Sequence, residues 1–249
     1  MSELNEVKIL GTGTIAGGEY SEVTINGKAK ANGNIKCIEL KVNGSLDCKN
    51  GVECENDAKL KGILTLGESI KAKGLRAMGK LCIKGDITSE ELEINGSLES
   101  KGKMRATKIN SNGTLRCTSD IEAENINVSG TLACDGLVNA ESLNLKMESK
   151  NMKIGSIGGG MITVYPGYTD NVIHKITPLK KVLKVLNNTC KLIVKESIEG
   201  DIVNLECVEA PVVCGRIVII GEGCKIEKVQ YSEKIEIAEG AVVENQIKI

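Results

Sequence analysis

Glycines recur at almost constant intervals through the first two thirds of this chain. The steps between them are 17, 18, 17, 17, 17 and 17 residues. A unit of that length is too short to fold alone, so its repetition predicts that successive units stack on one another. The series consists of Gly27, Gly44, Gly62, Gly79, Gly96, Gly113 and Gly130.

The residues around these glycines alternate between apolar and polar, as in Val42-Asn43-Gly44-Ser45-Leu46. Positions four and two places before a glycine, and two and four places after it, share one side of the chain only in an extended strand. We therefore predict β-strands with an inward aliphatic face. The core ladder two places after each glycine comprises Leu46, Leu64, Leu81, Leu98, Leu115 and Leu132.

Three short alternating stretches fit into each repeat, joined at Gly, Asn and Asp corners. This pattern predicts an all-β fold, a parallel β-helix (β-solenoid) of about 17 residues and three strands per turn. Each strand pairs with its equivalent one turn later, and stacked Leu and Ile residues exclude water together. The chain has no Phe and no Trp, which suits a narrow interior filled by aliphatic side chains.

Composition limits the partners that we expect. The net charge is −1, with 32 basic and 33 acidic residues and four aromatic side chains. A nucleic-acid interface needs a basic field or aromatic stacking platforms, so we expect no nucleic acid. We also expect no small-molecule substrate. The start of the chain resembles neither a signal peptide nor a membrane anchor, which predicts a cytoplasmic protein.

The ten cysteines fall mostly into inward columns of the repeat. Cys37 and Cys54 share one column, and Cys48, Cys117 and Cys134 share another. With no Cys-x-x-Cys pair and no Cys-His cluster, we interpret these side chains as small packing residues. We therefore predict no metal site and no cofactor. Cys82 falls at an outward position, and we expect it to react first with thiol reagents.

The repeat lapses after Leu145, and a different pattern follows. Gly158-Gly159-Gly160 favours a bent connection over a phosphate-binding loop, because no Lys-Ser/Thr follows it. Thr177-Pro178 then starts a predicted short basic amphipathic helix. This helix either contacts an anionic membrane or braces the solenoid as a lid. Its candidate membrane-contact residues are Leu179, Lys180, Lys181, Val182, Leu183, Lys184 and Leu186.

From Lys191 the 17-residue period returns, for example in Ile220-Gly221-Glu222-Gly223-Cys224 and Ile237-Ala238-Glu239-Gly240-Ala241. We predict three regions: a main β-helix over residues 1–148, a connecting insert over 149–190, and a second small β-helical segment over 191–249. The second segment either continues the first stack or folds beside it.

The repeated Ile-Asn-Gly-Ser-Leu unit resembles the bactofilins, which are bacterial polymer-forming cytoskeletal proteins. Gly17-Gly18-Glu19-Tyr20 and Ile198-Glu199-Gly200-Asp201 are similar to the longer Firmicute branch of that family. The resemblance implies a right-handed β-helix, nucleotide-free end-to-end stacking into filaments, and a scaffold role in cell shape, envelope growth or motility organelles. The partners that we expect from the resemblance are further copies of the chain and envelope or motility proteins. The basic helix adds the inner face of the cell membrane as a candidate partner.

The first turn gives an independent reason to expect self-association. Residues 9–18 contain no charge, whereas exposed sheet edges are usually protected by charge, Pro or a covering element. We predict that this end pairs with the same end of a second copy through Ile9, Thr12, Thr14 and Ile15. The alternative is that residues 1–6 fold back over the edge.

Catalysis is not expected. Parallel β-helix lyases need clustered carboxylates or bases, and acyltransferases of this shape need a His base. The only histidine, His174, has no repeat partner, and the outward carboxylates share no common position. The function that we predict is a non-enzymatic scaffold. The alternative is a capped, non-polymerising module that binds a protein partner or the membrane.

Overall fold

A computed structural model describes residues 4–148, 151–167 and 190–249, and these residues contain strands but no α-helix. The strands are β1 (Asn5–Cys48), β2 (Val52–Leu66), β3 (Ile70–Ile83), β4 (Ile87–Ser100), β5 (Met104–Cys117), β6 (Ile121–Met147), β7 (Met152–Pro166), β8 (Leu192–Val194), β9 (Ser197–Leu205), β10 (Val208–Ile220), β11 (Lys225–Ile237) and β12 (Val242–Lys248). The chain divides into two compact units, Met1–Ala123 and Glu124–Ile249.

In the first unit, each strand pairs in parallel with the strand one turn later. Ile70 pairs with Ile87, and Ile87 pairs with Met104, so that equivalent positions of the repeat lie side by side. The 18-residue step appears as a register shift between β1 and β2 after Cys37, because β2 carries one extra residue there. Parallel strands need no crossover helix in this fold, because winding returns the chain to register.

The repeating glycines stack in one column and have a backbone conformation that other residues rarely adopt. Gly44, Gly79 and Gly96 have φ values of 136°, 140° and 149°. A Cβ atom added to each would overlap the carbonyl oxygen of the glycine in the preceding turn. Glycine is therefore required because neighbouring turns approach too closely for a side chain.

The core lies inside the turns and is aliphatic. Leu64, Leu81, Leu98, Leu115 and Leu132 are 0% exposed and Leu46 is 1% exposed. Within the first unit, Leu46 pairs with Leu64, Leu64 with Leu81, and Leu98 with Leu115. Each buried Leu contributes about 1.5–3 kcal/mol through removal of apolar surface from water. The ladder supplies the contacts that a single turn lacks.

The second unit has less regular turns. Cys134 pairs with Ile154, and Ile198 pairs with Val213, so one step is longer and the other is shorter than the 17-residue repeat. Met152 of β7 pairs with Leu192 of β8 although much of the predicted insert separates them in sequence. The chain therefore resumes the parallel stack after this segment. In the described part of the unit, β12 pairs only with β11.

The expectation of a bent connection at Gly158–Gly160 is wrong. These residues lie inside β7, where Gly158 pairs with Asn139 and Gly159 pairs with Ala140. A Cβ atom at Gly159 would overlap the carbonyl oxygen of Ala140. The glycines therefore permit close approach of two strands, as they do in the first unit.

The predicted all-β parallel solenoid with about 17 residues per turn is confirmed, and further parallel turns occur within residues 191–249. The predicted short helix at 179–186 lies outside the described residues. The predicted region boundaries at residues 148 and 190 stay predictions.

Candidate functional site

The edge formed by the first turn of β1, which we call the N-terminal edge, covers residues 5–16. Gly11 begins the glycine column, because the Cβ position of Gly27 would overlap the Gly11 carbonyl oxygen. Gly11 itself has a φ of 96°, and a Cβ atom built on it would meet no described atom within 4 Å. In the later turns of this column the preceding glycine occupies that space. The column therefore ends at Gly11 with an open backbone.

The four residues predicted to form this edge do not play the same role. Thr12 and Thr14 are exposed and Ile9 is half-buried. Ile15 is only 2% exposed and belongs to the core, because it stands four places after Gly11, in the same inward column as Ala31 and Cys48. Ile15 is therefore unavailable as a contact residue.

Leu10 is an edge residue that the sequence reasoning missed. Its side chain is 71% exposed, more than any described apolar side chain of the first unit. Leu10 precedes Gly11, and Gly11 lies one turn before Gly27 in the glycine column. The sequence could have identified Leu10 as an edge residue from this position. Asn5 and Glu6 are the first residues of β1, so they continue the first turn. Residues 1–3 lie outside the described residues.

A surface cavity of about 160 Å³ lies beside the N-terminal edge. Leu4, Tyr20 and Cys37 line it, together with Lys36 and Glu53. The Tyr20 hydroxyl donates a hydrogen bond of 2.9 Å to the carbonyl oxygen of Ala16. The cavity thus has a mixed apolar and charged lining, with one thiol among the lining groups.

The other end of the described chain also has an uncovered edge, which we call the C-terminal edge and which consists of β12 and Ile249. The exposed fractions are 55% for Val242, 42% for Ile247 and 71% for Ile249. Glu244 and Lys248 are exposed on the same strand. Charged and apolar side chains are thus mixed along this edge.

The outer face of the first unit carries ion pairs between neighbouring turns. Lys103 Nζ lies 2.8 Å from Asp120 Oδ2, and this contact raises the pKa of Lys103. Arg105 Nε lies 3.0 Å from Glu122 Oε2. These groups are partly exposed, so each pair contributes little to stability. Their alternating signs leave neither a basic nor an acidic stripe along these turns.

The remaining questions concern a metal site, a membrane-spanning helix and the predicted membrane-contact residues. Within residues 4–148, 151–167 and 190–249, no three His, Cys, Asp or Glu side chains group so as to hold a metal ion. Among the same residues, no helix has the length and apolar character needed to cross a bilayer. The candidate membrane-contact residues between Leu179 and Leu186, and His174, lie outside the described residues.

Comparison of the chain with family models, with curated proteins and with solved structures gave no match. The resemblance to the bactofilins therefore stays a prediction from the repeated sequence unit.

Proposed function

We propose that this protein is a non-enzymatic scaffold that self-associates by joining uncovered solenoid edges, and that it builds nucleotide-independent polymers of the bactofilin type. The N-terminal edge is the first contact. Two copies meet there through the same surface, related by a two-fold axis, as is usual for contacts between identical chains.

The open backbone at Gly11 is the observation that supports this proposal best. In later turns of the column, the corresponding space holds the backbone of a neighbouring turn. An approaching strand from a second copy fits the same space and can pair with the edge, because an unpaired strand presents free N–H and C=O groups. The exposed Leu10 side chain adds apolar area to the contact.

The function does not require a small-molecule site. Stacked parallel turns with an aliphatic core repeat one structural unit, and edge pairing adds further turns without a bound nucleotide. On the outer face of the first unit, Lys103 pairs with Asp120 and Arg105 pairs with Glu122 in the next turn, so these charges neutralise each other.

The test uses a substitution that blocks only the space in front of the edge. Gly11→Asp places a charged side chain where the free protein has no described atom within 4 Å. Asp tolerates positive φ better than most residues. Gly18→Asp is the matched control, because it makes the same charge change in the same region and the nearest contact of its Cβ is with the Tyr20 side chain, at 3.4 Å.

We expect light scattering of the wild-type protein to give a mass above that of a dimer, rising with concentration. Gly11→Asp should reduce the assembly to a dimer or less, whereas Gly18→Asp should match the wild type. Circular dichroism checks that both variants are folded. A folded Gly11→Asp protein with wild-type mass contradicts the proposed edge. A wild-type protein that is monomeric at every concentration contradicts the scaffold and supports the capped interaction module.

A further inference from the structure

Two cysteines face each other on neighbouring turns of the first unit. Cys37 and Cys54 are direct partners in the parallel pairing of β1 with β2. Paired strands lie about 4.8 Å apart, and disulfides join residues whose Cα atoms are about 4.4–6.8 Å apart. The strand pairing thus places the two cysteines at a Cα separation that a disulfide can span.

The backbone next to this pair is irregular. The register of β1 and β2 shifts immediately after Cys37, where β2 carries an extra residue before the pairing resumes at Leu40. Cys54 Sγ also donates to the carbonyl oxygen of Ile38, at 3.3 Å, within this interruption. A break in the ladder lets the two sulfur atoms approach bonding distance without disrupting a continuous set of backbone hydrogen bonds.

The cavity of about 160 Å³ beside the N-terminal edge reaches the pair at Cys37, and Glu53 and Glu55, the chain neighbours of Cys54, also line it. Cys37 lines the cavity although its side chain is only 4% exposed. The volume is several times that needed for a water molecule, so hydrogen peroxide fits. Lys36 and Glu53, which also line the cavity, keep its entrance polar.

The protonation of the pair is also suited to reaction. Hydrogen bonding from Cys37 lowers the pKa of the Cys54 thiol, and the same contact together with burial raises the pKa of Cys37. Cysteines elsewhere in the solenoid differ, because burial raises the pKa of Cys48 and takes that of Cys224 to about 12. A thiolate is the reactive form of cysteine, and it forms most readily at Cys54.

We propose that Cys37 and Cys54 are a peroxide-reactive dithiol that closes into a disulfide between neighbouring turns. The Cys54 thiolate attacks one oxygen of hydrogen peroxide, the O–O bond breaks, and hydroxide leaves and takes up a proton to form water. The sulfur of Cys37 then attacks the sulfenic sulfur of Cys54. The S–O bond breaks, and the oxygen leaves as a second water with the Cys37 proton. Two thiols are oxidised and one peroxide is reduced.

The disulfide joins two turns close to the N-terminal edge, so it resists separation of those turns. This modification is independent of the proposed self-association, because both cysteines lie inside the turns and neither belongs to the edge. Local opening at β1 and β2 should slow, and amide hydrogens near Ile35 and Val52 should exchange more slowly in the oxidised protein.

The test treats the purified full-length chain with hydrogen peroxide, alkylates the remaining thiols under denaturing conditions, and maps tryptic peptides without reduction. Trypsin cleaves between the two cysteines, at Lys41 and Lys49. We expect a linked Cys37–Cys54 peptide and the loss of two of the ten thiols. In Cys37→Ala the sulfenic acid at Cys54 should be trapped by dimedone, because its resolving partner is missing.

Cys54→Ala should abolish the linked peptide and leave Cys37 alkylated. Ala is the residue that pairs with Cys54 in the next turn, at Ala72, so the substitution fits this column. Cys82→Ala is the matched control at a half-buried cysteine, and it should leave the linked peptide unchanged. Full alkylation of both Cys37 and Cys54 in the oxidised wild-type protein would overturn the proposal, as would oxidation confined to Cys82. This mapping needs no variant to fold.

Discussion

At the scale of single residues, the core of the described residues contains one side-chain oxygen that makes no hydrogen bond. Ser111 is 2% exposed and pairs with Ile94 in an apolar column. Its Oγ makes no hydrogen bond. A buried unsatisfied hydroxyl costs about 1–3 kcal/mol. We therefore expect Ser111→Ala to raise the free energy of unfolding by about 1 kcal/mol, measured by urea denaturation.

Ser89 provides the matched control for this prediction. It is also buried, at 7% exposure, but its hydroxyl donates to the carbonyl oxygen of Glu91 at 2.7 Å and lies 3.0 Å from that of Lys73. Ser89→Ala should lower the free energy of unfolding by about 1 kcal/mol, because the Glu91 carbonyl group loses its donor. If both substitutions change stability in the same direction, the distinction between satisfied and unsatisfied serines is wrong.

At the scale of the turn, the glycine column is the element with the least tolerance for change. A Cβ atom at Gly96 would overlap the carbonyl oxygen of Gly79, and φ is 149°. Because a backbone atom stands in the way, relief requires two turns to separate. We expect Gly96→Ala to lower the free energy of unfolding by about 3 kcal/mol or more. Thermal unfolding followed by circular dichroism measures the loss.

Gly18→Ala is the control for this substitution, because its Cβ would make an ordinary contact of 3.4 Å with the Tyr20 side chain. It should change the unfolding midpoint little or raise it slightly, since Ala reduces the entropy of the unfolded chain. A Gly96→Ala protein as stable as Gly18→Ala would show that the turns can shift apart at little cost.

The repeat made the turn predictable because strict 17-residue spacing places equivalent residues in one column. The inward ladder from Leu46 to Leu132 could be read directly from this spacing. The hydrogen bonds made by the inward residues four places after each glycine could not be predicted from this spacing. Ser100 Oγ lies 3.2 Å from the Gly85 carbonyl oxygen, and Cys117 Sγ lies 3.2 Å from that of Gly102. Thiols and hydroxyls thus donate hydrogen bonds to carbonyl groups at the corners of the turns. The sequence analysis interpreted the cysteines only as packing residues.

Variation in turn length explains why the strands of the second unit were harder to predict from the sequence. Met147 stands where the next glycine of the series was expected, and the steps then depart from 17 residues. Without a fixed spacing, the glycines at 158–160 could not be assigned to a column, and a bend was predicted. Their role in a closely packed strand can be recognised only when the paired residues are known. The candidate edge shows the same limit: absence of charge pointed to residues 9–18, but the open direction at Gly11 depends on its backbone angle.

At the scale of the whole molecule, the number of uncovered edges decides between a closed dimer and a polymer. One self-complementary edge allows only dimers, because pairing consumes it. The described residues leave two different edges uncovered, and the C-terminal edge exposes Val242 and Ile247. Both edges offer unpaired backbone and apolar surface, so we expect each to pair with its own kind and to extend the assembly without limit.

This expectation can be tested by blocking each edge in turn. Val242→Lys combined with Ile247→Lys puts two charges on the C-terminal edge, and lysine on an edge strand opposes pairing. Light scattering of this double variant should show dimers joined at the N-terminal edge. Gly11→Asp alone should give dimers joined at the C-terminal edge. All three substitutions together should give monomers. If blocking one edge alone already gave monomers, a single contact would hold the copies together. The protein would then form closed dimers, because its other edge does not pair.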